Sequence, residues 1–177
     1  MCMNELCVRP LQLSDQESFL KAIQECACDD VTPYTFAFHA DYTHDFTKYL
    51  RLLEDWSQGK NLPERFVANT FLVGLVGDTI VGRISVRHEL NEFLATIGGH
   101  IGYVVIPSER KKGYGTLLLS LAKPFIAALG LSSVLVTCDD DNAASIKIIE
   151  SNGGVFENVV YDNDSMKMKR RYWIAIE

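Results

Sequence analysis

The chain has 177 residues, 47% of them hydrophobic and 23% charged, a composition typical of a soluble globular protein folded as one domain over residues 1–177. Its net charge of −6 disfavours a nucleic-acid partner, because binding a phosphate backbone depends on clustered lysine and arginine. No apolar run could span a membrane, and no signal segment or lipidation motif is visible, so we expect a cytoplasmic protein without a membrane partner.

The residue pattern of the N-terminal half predicts one strand, then two helices, then a pair of strands. Alternating apolar residues indicate the first strand, and Ser14 and Glu17 form a capping box that opens the first helix. Residues 76–78 are a plausible hairpin turn between the two later strands. In chain order we expect a strand at 7–13, helices from 14 to about 28 and at 45–58, and strands at 66–75 and 79–89.

The C-terminal half alternates strands and helices before ending in a second strand pair. Residues 90–99 are expected to form a loop, and no interdomain linker is visible. The predicted elements are a strand at 100–106, a helix to about 130, a strand at 134–138, a helix at 143–152, and strands at 155–161 and 166–176.

The five cysteines include no C-x-x-C pair, and an odd number suits free thiols in a reducing compartment. Cys26 and Cys28 stand two residues apart in a predicted helix and therefore point to different faces. We expect no metal site.

The turn after the strand at 101–106 has the features of a phosphate site. It runs from Arg110 through two glycines into a helix, and a helix N-terminus offers unpaired N–H donors and partial positive charge. Glycine lets a ligand approach the backbone closely. Lys111 and Lys112 add positive charge where a diphosphate would lie.

The glycine spacing excludes two common phosphate loops. A Walker loop requires G-x-x-x-x-G-K-[ST], and a dinucleotide turn would need a third glycine at position 118, which is leucine. A nucleotide-binding α/β protein is therefore the less favoured alternative. Arg110-x-x-Gly113-x-Gly115 instead matches R/Q-x-x-G-x-G/A, and the chain resembles the GNAT superfamily of N-acetyltransferases from about residue 80 to its C-terminus.

The resemblance implies a fold and a cosubstrate, acetyl-CoA. The fold is a mixed α/β (α+β) architecture whose mostly antiparallel sheet of about seven strands splays between the fourth and fifth strands, with about four flanking helices. The pantetheine arm would enter this gap beside Asn142, which could equally be an ordinary helix cap. Residues implied at the cosubstrate are Tyr103, Val104 and Val105 through their backbone, Arg110, Lys111, Lys112, Gly113, Tyr114, Gly115 and Thr116 at the pyrophosphate, and Asn142 and Ser145.

Acetyl transfer to an amine needs a base, because an alkylamine with a pKa of about 10 is mostly protonated at neutral pH. Many family members carry a glutamate on the fourth or fifth strand, but the corresponding positions here are Gly99 and Thr137. The imidazole of His100, beside the first of these positions, is the leading candidate base. His88 and Glu89 are the other candidates, and each of the three could instead be a polar residue at a strand end.

The usual acid of the family is also missing. Many members carry a tyrosine seven residues after the asparagine to protonate the leaving thiolate, and position 149 is isoleucine. Ser145 lies four residues earlier on the same helical face, so its hydroxyl could reach the sulfur, although a serine of the first helical turn explains it equally well.

The resemblance places the amine acceptor near the aromatic segment 34–46 and near Tyr172 and Trp173. These aromatics could instead be core residues. An acidic protein with such a surface could favour a cationic small molecule, a polyamine, an aminoglycoside-like drug or a peptide N-terminus. The expected activity is acetyl-CoA-dependent N-acetyl transfer, with a catalytically weak acyl-CoA-binding regulatory module as the alternative. A homodimer is a further candidate assembly.

Overall fold

The structure is a computed structural model that describes residues 5–29, 35–38 and 45–176. The helices in these ranges are α1 (Gln16–Ala27), α2 (Phe46–Ser57), α3 (Tyr114–Ala128) and α4 (Ala143–Ser151). The strands are β1 (Leu6–Pro10), β2 (Asn69–Val76), β3 (Thr79–Arg87), β4 (Ile101–Val105), β5 (Ser133–Asp139), β6 (Val155–Asp162) and β7 (Lys167–Ala175). The predicted order of elements is confirmed.

The strands form two antiparallel sheets, one ordered β1-β2-β3-β4 and the other β5-β7-β6. They are joined at the start of β4, where the His100 N–H donates to the Leu135 carbonyl at 2.7 Å. Beyond this contact β4 and β5 belong to different sheets, so the predicted splay between the fourth and fifth strands is confirmed. We call the space between them the wedge.

Helices cover both faces of the central strands β2 and β3, which are buried along almost their whole length. On one face, α1 and α2 pack through Phe19 and Tyr49 against Phe71 and Val104. On the other face, α3 and α4 pack against β2 to β5 and β7 through a second cluster that includes Ala122, Ile149 and Tyr172. The wedge therefore has a side that faces α1 and α2 and a side that faces α3 and α4.

Two local features differ from the sequence prediction. The first helix is preceded by a 3₁₀ turn, Leu13–Asp15, and the capping box is formed by Gln12 and Asp15, not by Ser14 and Glu17. Asp15 accepts from the Gln12 N–H at 2.8 Å and also forms an ion pair with Arg9. These contacts hold the 3₁₀ turn in place, so helical structure begins before the predicted first residue of the helix. The predicted loop 90–99 contains a π-helical turn, Leu94–Gly98. Across the described ranges no helix is both long and apolar enough to cross a membrane.

Candidate functional site

Among the described residues, β4 has no strand partner on the edge that faces the wedge. Ladder bonds join His100 O to the Arg87 N–H at 2.8 Å and the Ile106 N–H to Val81 O at 3.0 Å. Since strand residues alternate in the direction of their backbone groups, the register of β3 with β4 turns those of Tyr103 and Val105 toward the wedge. Val104 instead pairs with β3 and buries its side chain against α1 and α2.

The turn after β4 presents a helix N-terminus as predicted from the sequence. Lys111 and Gly113 have φ angles of 64° and 87°, and the first helical bond of α3 runs from the Leu117 N–H to Gly113 O at 3.3 Å. Helix geometry then leaves the N–H groups of residues 114–116 without carbonyl partners inside the helix. These donors and the helix dipole form an anion-binding end.

Glycine stands at the two positions of this turn for different structural reasons. A Cβ on Gly113 would have no neighbour within 4 Å among the described residues, so this position is open to an approaching ligand. A Cβ on Gly115 would lie 2.5 Å from the Ile148 Cδ1 atom. Gly115 therefore lets α3 pack closely against α4, which the spacing of the motif alone did not indicate.

The basic residues of the turn are partly neutralised by acids. Arg110 forms an ion pair with Asp29, just beyond the end of α1, and the Ser108 N–H donates to Glu25 Oε1 at 2.6 Å. Lys112 pairs with Glu109 at 2.9 Å. Arg110 thus fastens the turn to α1 as well as adding charge to it.

His100, the leading base candidate of the sequence, is buried at the junction of the two sheets, where a backbone N–H engages one of its ring nitrogens. The residue is 6% exposed, and its Nδ1 accepts from the Leu135 N–H at 2.9 Å. A neutral ring that accepts at Nδ1 carries its proton on Nε2, so no lone pair is left for the amine proton. Burial lowers the pKa of His100, which favours this neutral form.

Gly99 and Thr137, which stand where many members of the family carry a glutamate, both have structural roles in this protein. A Cβ on Gly99 would lie 2.7 Å from the Leu135 carbonyl oxygen, so this position excludes a side chain. Thr137 donates its hydroxyl to the Ile97 carbonyl at 2.6 Å. Both positions therefore serve the junction between β5 and the segment before β4.

The two other base candidates differ in orientation. The Nε2 of His88 is 2.8 Å from the Thr70 hydroxyl on β2, so this ring leans away from the wedge. Burial lowers the pKa of His88. Glu89 follows β3 and is exposed, which leaves its carboxylate accessible to water and to a bound molecule.

Ser145 and Tyr103 form a hydroxyl pair on the α3 and α4 side of the wedge. Their oxygen atoms are 2.6 Å apart, and burial raises the pKa of Tyr103 above its ordinary value. Asn142 caps α4 by accepting from the Ser145 N–H at 3.0 Å, which matches the alternative of a helix cap. Ile149, at the position of the missing tyrosine, is fully buried in the core.

The sequence analysis considered only the backbone of Tyr103 and missed the role of its hydroxyl. The alternation of side chains along the strand could have indicated that this side chain points toward α3 and α4. Tyr103 shares the strand face of Ile101, and both pack against the cluster of α3 and α4. Cys138 also borders this hydroxyl pair, and burial raises the pKa of its thiol to about 11. It is therefore a neutral thiol near pH 7.

The aromatic segment predicted to shape the acceptor site is partly core. Phe36 and Phe46 are buried, whereas Phe38 is half-buried and contacts the Trp56 ring at a centroid distance of 6.3 Å. Tyr172 is buried, and the half-buried Trp173 lies 6.2 Å from the His100 ring. Other members of the segment, Tyr34, His39, Tyr42 and His44, lie outside the described residues.

Among the residues that the structure describes, no group of three or more histidine, cysteine, aspartate or glutamate side chains could hold a metal ion.

Solved structures with similar folds cover nearly the whole chain. An acetyltransferase of the GNAT family from Streptococcus pneumoniae superposes with a TM-score of 0.69 at 16% identity, covering 98% of this chain and 100% of that one. YncA from Salmonella typhimurium, solved with its cofactor acetyl-CoA, gives 0.63 at 17% identity, covering 98% and 95%. The ribosomal-protein-S5-alanine acetyltransferase from Vibrio fischeri gives 0.67 at 17% identity, covering 97% and 93%.

At these identities the likeness establishes the fold. No protein of curated function matches the chain. The model of the acetyltransferase (GNAT) domain matches residues 5–155, which is most of the sequence, and the chain belongs to the GNAT acetyltransferase family.

Proposed function

We propose that this protein is an N-acetyltransferase that uses acetyl-CoA to acetylate an amine of a small molecule or a peptide. The observation that carries the proposal is the continuity of the wedge with the α3 N-terminus. One surface offers anion-binding amides at residues 114–116 and then the free backbone edge of Tyr103 and Val105. An elongated molecule with a pyrophosphate at one end and amide groups along its arm matches this arrangement.

The cosubstrate would bind along this surface with its thioester deep in the wedge. The pyrophosphate would lie at the open face of Gly113, between Lys111 and the α3 amides. The pantetheine amides would pair with the β4 edge, and Asn142 would offer its remaining amide hydrogens. YncA, which shares this fold, was solved with acetyl-CoA, and this supports the assignment.

In the reaction, the amine nitrogen attacks the thioester carbonyl. The new N–C bond forms, the C–S bond breaks, the amine loses a proton, and the thiolate gains one. Holding the two reactants together supplies much of the rate. A wedge that excludes water also strengthens the hydrogen bonds made to the developing charges.

We assign proton removal to Glu89, acting directly or through water. The Nδ1 of His100 is engaged by the Leu135 N–H, and His88 leans toward Thr70. Glu89 is exposed just beyond β3. Its carboxylate accepts protons that then pass to solvent.

We assign stabilisation of the leaving thiolate, by hydrogen bonding, to the hydroxyl pair of Ser145 and Tyr103. Ser145 would donate to the sulfur while Tyr103 donates to Ser145, so that the negative charge is shared by two hydroxyls. This arrangement would replace the family tyrosine that Ile149 displaces. Because burial raises the pKa of Tyr103, the pair keeps its protons at neutral and mildly alkaline pH and acts as a hydrogen-bond donor, while the thiolate takes its proton from solvent.

The test is thiol release from acetyl-CoA with a broad panel of amines, combined with mass detection of the acetylated product. Amine-dependent release with matching product supports the enzyme. The alternative, a regulatory acyl-CoA-binding module, predicts tight binding of acetyl-CoA by calorimetry with no thiol release from any amine.

A further inference from the structure

One face of the hairpin formed by β6 and β7 carries a group of exposed apolar side chains. Tyr161 stands opposite Met168, and Phe156 stands opposite Tyr172. Opposed residues of an antiparallel pair share one face of the sheet. Tyr172 belongs to the core under α3 and α4, but the side chains farther out on this face are 37% to 72% exposed. These side chains, which we call the hairpin patch, are Phe156, Val159, Tyr161, Met166 and Met168.

The hairpin patch is continuous from the edge of the core to the turn of the hairpin. The Phe156 ring packs edge-on against the Tyr172 ring at a centroid distance of 5.6 Å. Val159 and Tyr161 are two residues apart on one strand, so both point to this face. The Tyr161 hydroxyl donates to the Met166 Sδ atom at 3.5 Å. Contiguous exposed apolar patches on soluble proteins mark sites of interaction.

The strand that carries most of the patch also has an open backbone edge. β6 is the outermost strand of the sheet β5-β7-β6, and within the described ranges no strand pairs with its other side. Sheets commonly protect such an edge with lysine, proline or a bulge. β6 contains neither lysine nor proline, and its irregularity, between Phe156 and Asn158, leaves residues 158–162 regular. This run is suited to pairing with another strand.

Charged groups beside the patch are neutralised within the chain. Arg170, on the same face of β7, forms an ion pair with Asp140. Glu157, on β6, pairs with Arg171 at 2.9 Å. A nucleic acid or an anionic membrane would require a surplus of basic residues at this surface. The surface that complements the patch is therefore neutral and apolar.

A second copy of β6 has the properties that this edge requires. When two copies run antiparallel about a two-fold axis at Val160, Val159 of each copy lies opposite Tyr161 of the other. An aromatic side chain opposite a β-branched one is a favourable cross-strand pair. Asn158 lies opposite Asp162, so the pairing brings no like charges directly together. The sequence of β6 is thus complementary to itself in this register.

We propose that the protein forms a homodimer in which two copies of β6 pair edge to edge about a two-fold axis at Val160, with the hairpin patch along the seam. The contact uses the same surface on both copies, so it closes as a dimer. Standard interfaces bury about 800 Å² per partner, and this short seam buries less. We therefore expect a concentration-dependent dimer with a Kd in the micromolar range. The inference does not depend on the proposed activity.

Sedimentation velocity over a range of protein concentrations tests the assembly, and hydrogen exchange locates it. We expect the mass to rise from monomer to dimer through the micromolar range, while amide exchange on β6 slows as the concentration rises. A protein that stays monomeric would overturn the proposal, whether or not it binds neutral phosphatidylcholine vesicles through the patch. A dimer in which exchange on β6 does not change with concentration would overturn it as well.

Two charge variants test the register of the seam. Val159→Glu and Tyr161→Lys each place a charge in an apolar contact and should raise the Kd of the dimer about tenfold or more. An equimolar mixture of the two variants should form a heterodimer tighter than either homodimer, because the new charges then lie opposite each other and the second cross-strand pair is unchanged.

A matched control comes from α3. Leu121 is 38% exposed, against 37% for Val159, and Leu121→Glu should leave the Kd unchanged. Loss of the dimer in Leu121→Glu, or an unchanged Kd in Val159→Glu, would contradict the proposed seam. Thermal melts monitor folding, and if a hairpin variant does not fold, the exchange of β6 in the unmodified protein decides.

Discussion

The hydroxyl of Tyr103 on β4 lies 2.6 Å from the hydroxyl of Ser145 on α4, and this bond links the strand to the helix on the α3 and α4 side of the wedge. It brings a phenol to the first turn of α4, although the helix itself carries isoleucine at position 149. The hydroxyl function of the missing tyrosine can therefore come from a neighbouring strand.

We expect Tyr103→Phe and Ser145→Ala each to lower kcat by about tenfold to a hundredfold, within or below the range usual for a general acid. The defect should shrink with a thioester whose leaving thiol is more acidic, because its thiolate needs less stabilisation by hydrogen bonds. Tyr161→Phe, on an exposed strand position, is the matched control. Equal defects for both leaving groups would mean that the pair has only a structural role.

Gly113→Asp should reduce the affinity for CoA about tenfold or more, because charge at a helix N-terminus changes binding by up to about 2 kcal/mol and the φ of 87° strains any side chain. Calorimetry measures the affinity, and thermal melts monitor folding. A well-folded Gly113→Asp protein that binds CoA like the parent would place the pyrophosphate elsewhere.

Gly115→Ala should act through packing. Its Cβ would lie 2.5 Å from Ile148 Cδ1, and such overpacking costs about 1–3 kcal/mol. Ile148→Val removes that methyl group and should recover most of the loss in the double variant. A double-mutant cycle in denaturant measures the coupling, and additive losses would contradict the contact.

His100 should matter for stability, because its ring joins the two sheets. We expect His100→Ala to cost about 1–3 kcal/mol by leaving the buried Leu135 N–H unpaired, while the shape of the pH–rate profile stays that of the parent. If the variant instead loses rate at neutral pH and regains it at high pH, His100 is the base.

The pH dependence of stability provides a second test of His100. Burial lowers its pKa in the folded protein, so protonation favours the unfolded chain. The contribution of His100 to the free energy of unfolding is fully present above its pKa in the unfolded chain, about 6.5. It is lost as the pH falls through the lower pKa of His100 in the folded protein. His100→Asn, which cannot titrate, should flatten this acid limb in denaturant titrations from pH 8 to pH 5, and an unchanged limb would contradict the account.

The sequence predicted most of the fold because its elements are local. The apolar alternation of β4, the turn at Arg110 and the cap at Asn142 each depend on a few adjacent residues. The site was less predictable, because its chemistry depends on contacts between distant residues. Nothing near His100 in the chain indicates that Leu135 engages its ring, and nothing near Ser145 indicates Tyr103.

A crystal structure with bound acetyl-CoA tests the central claim most directly. The account predicts the pyrophosphate at the amides of residues 114–116, the pantetheine arm paired with the backbone of Tyr103 and Val105, and the sulfur within hydrogen-bond reach of Ser145. Acetyl-CoA bound outside the wedge, or a thioester far from the pair formed by Ser145 and Tyr103, would contradict it.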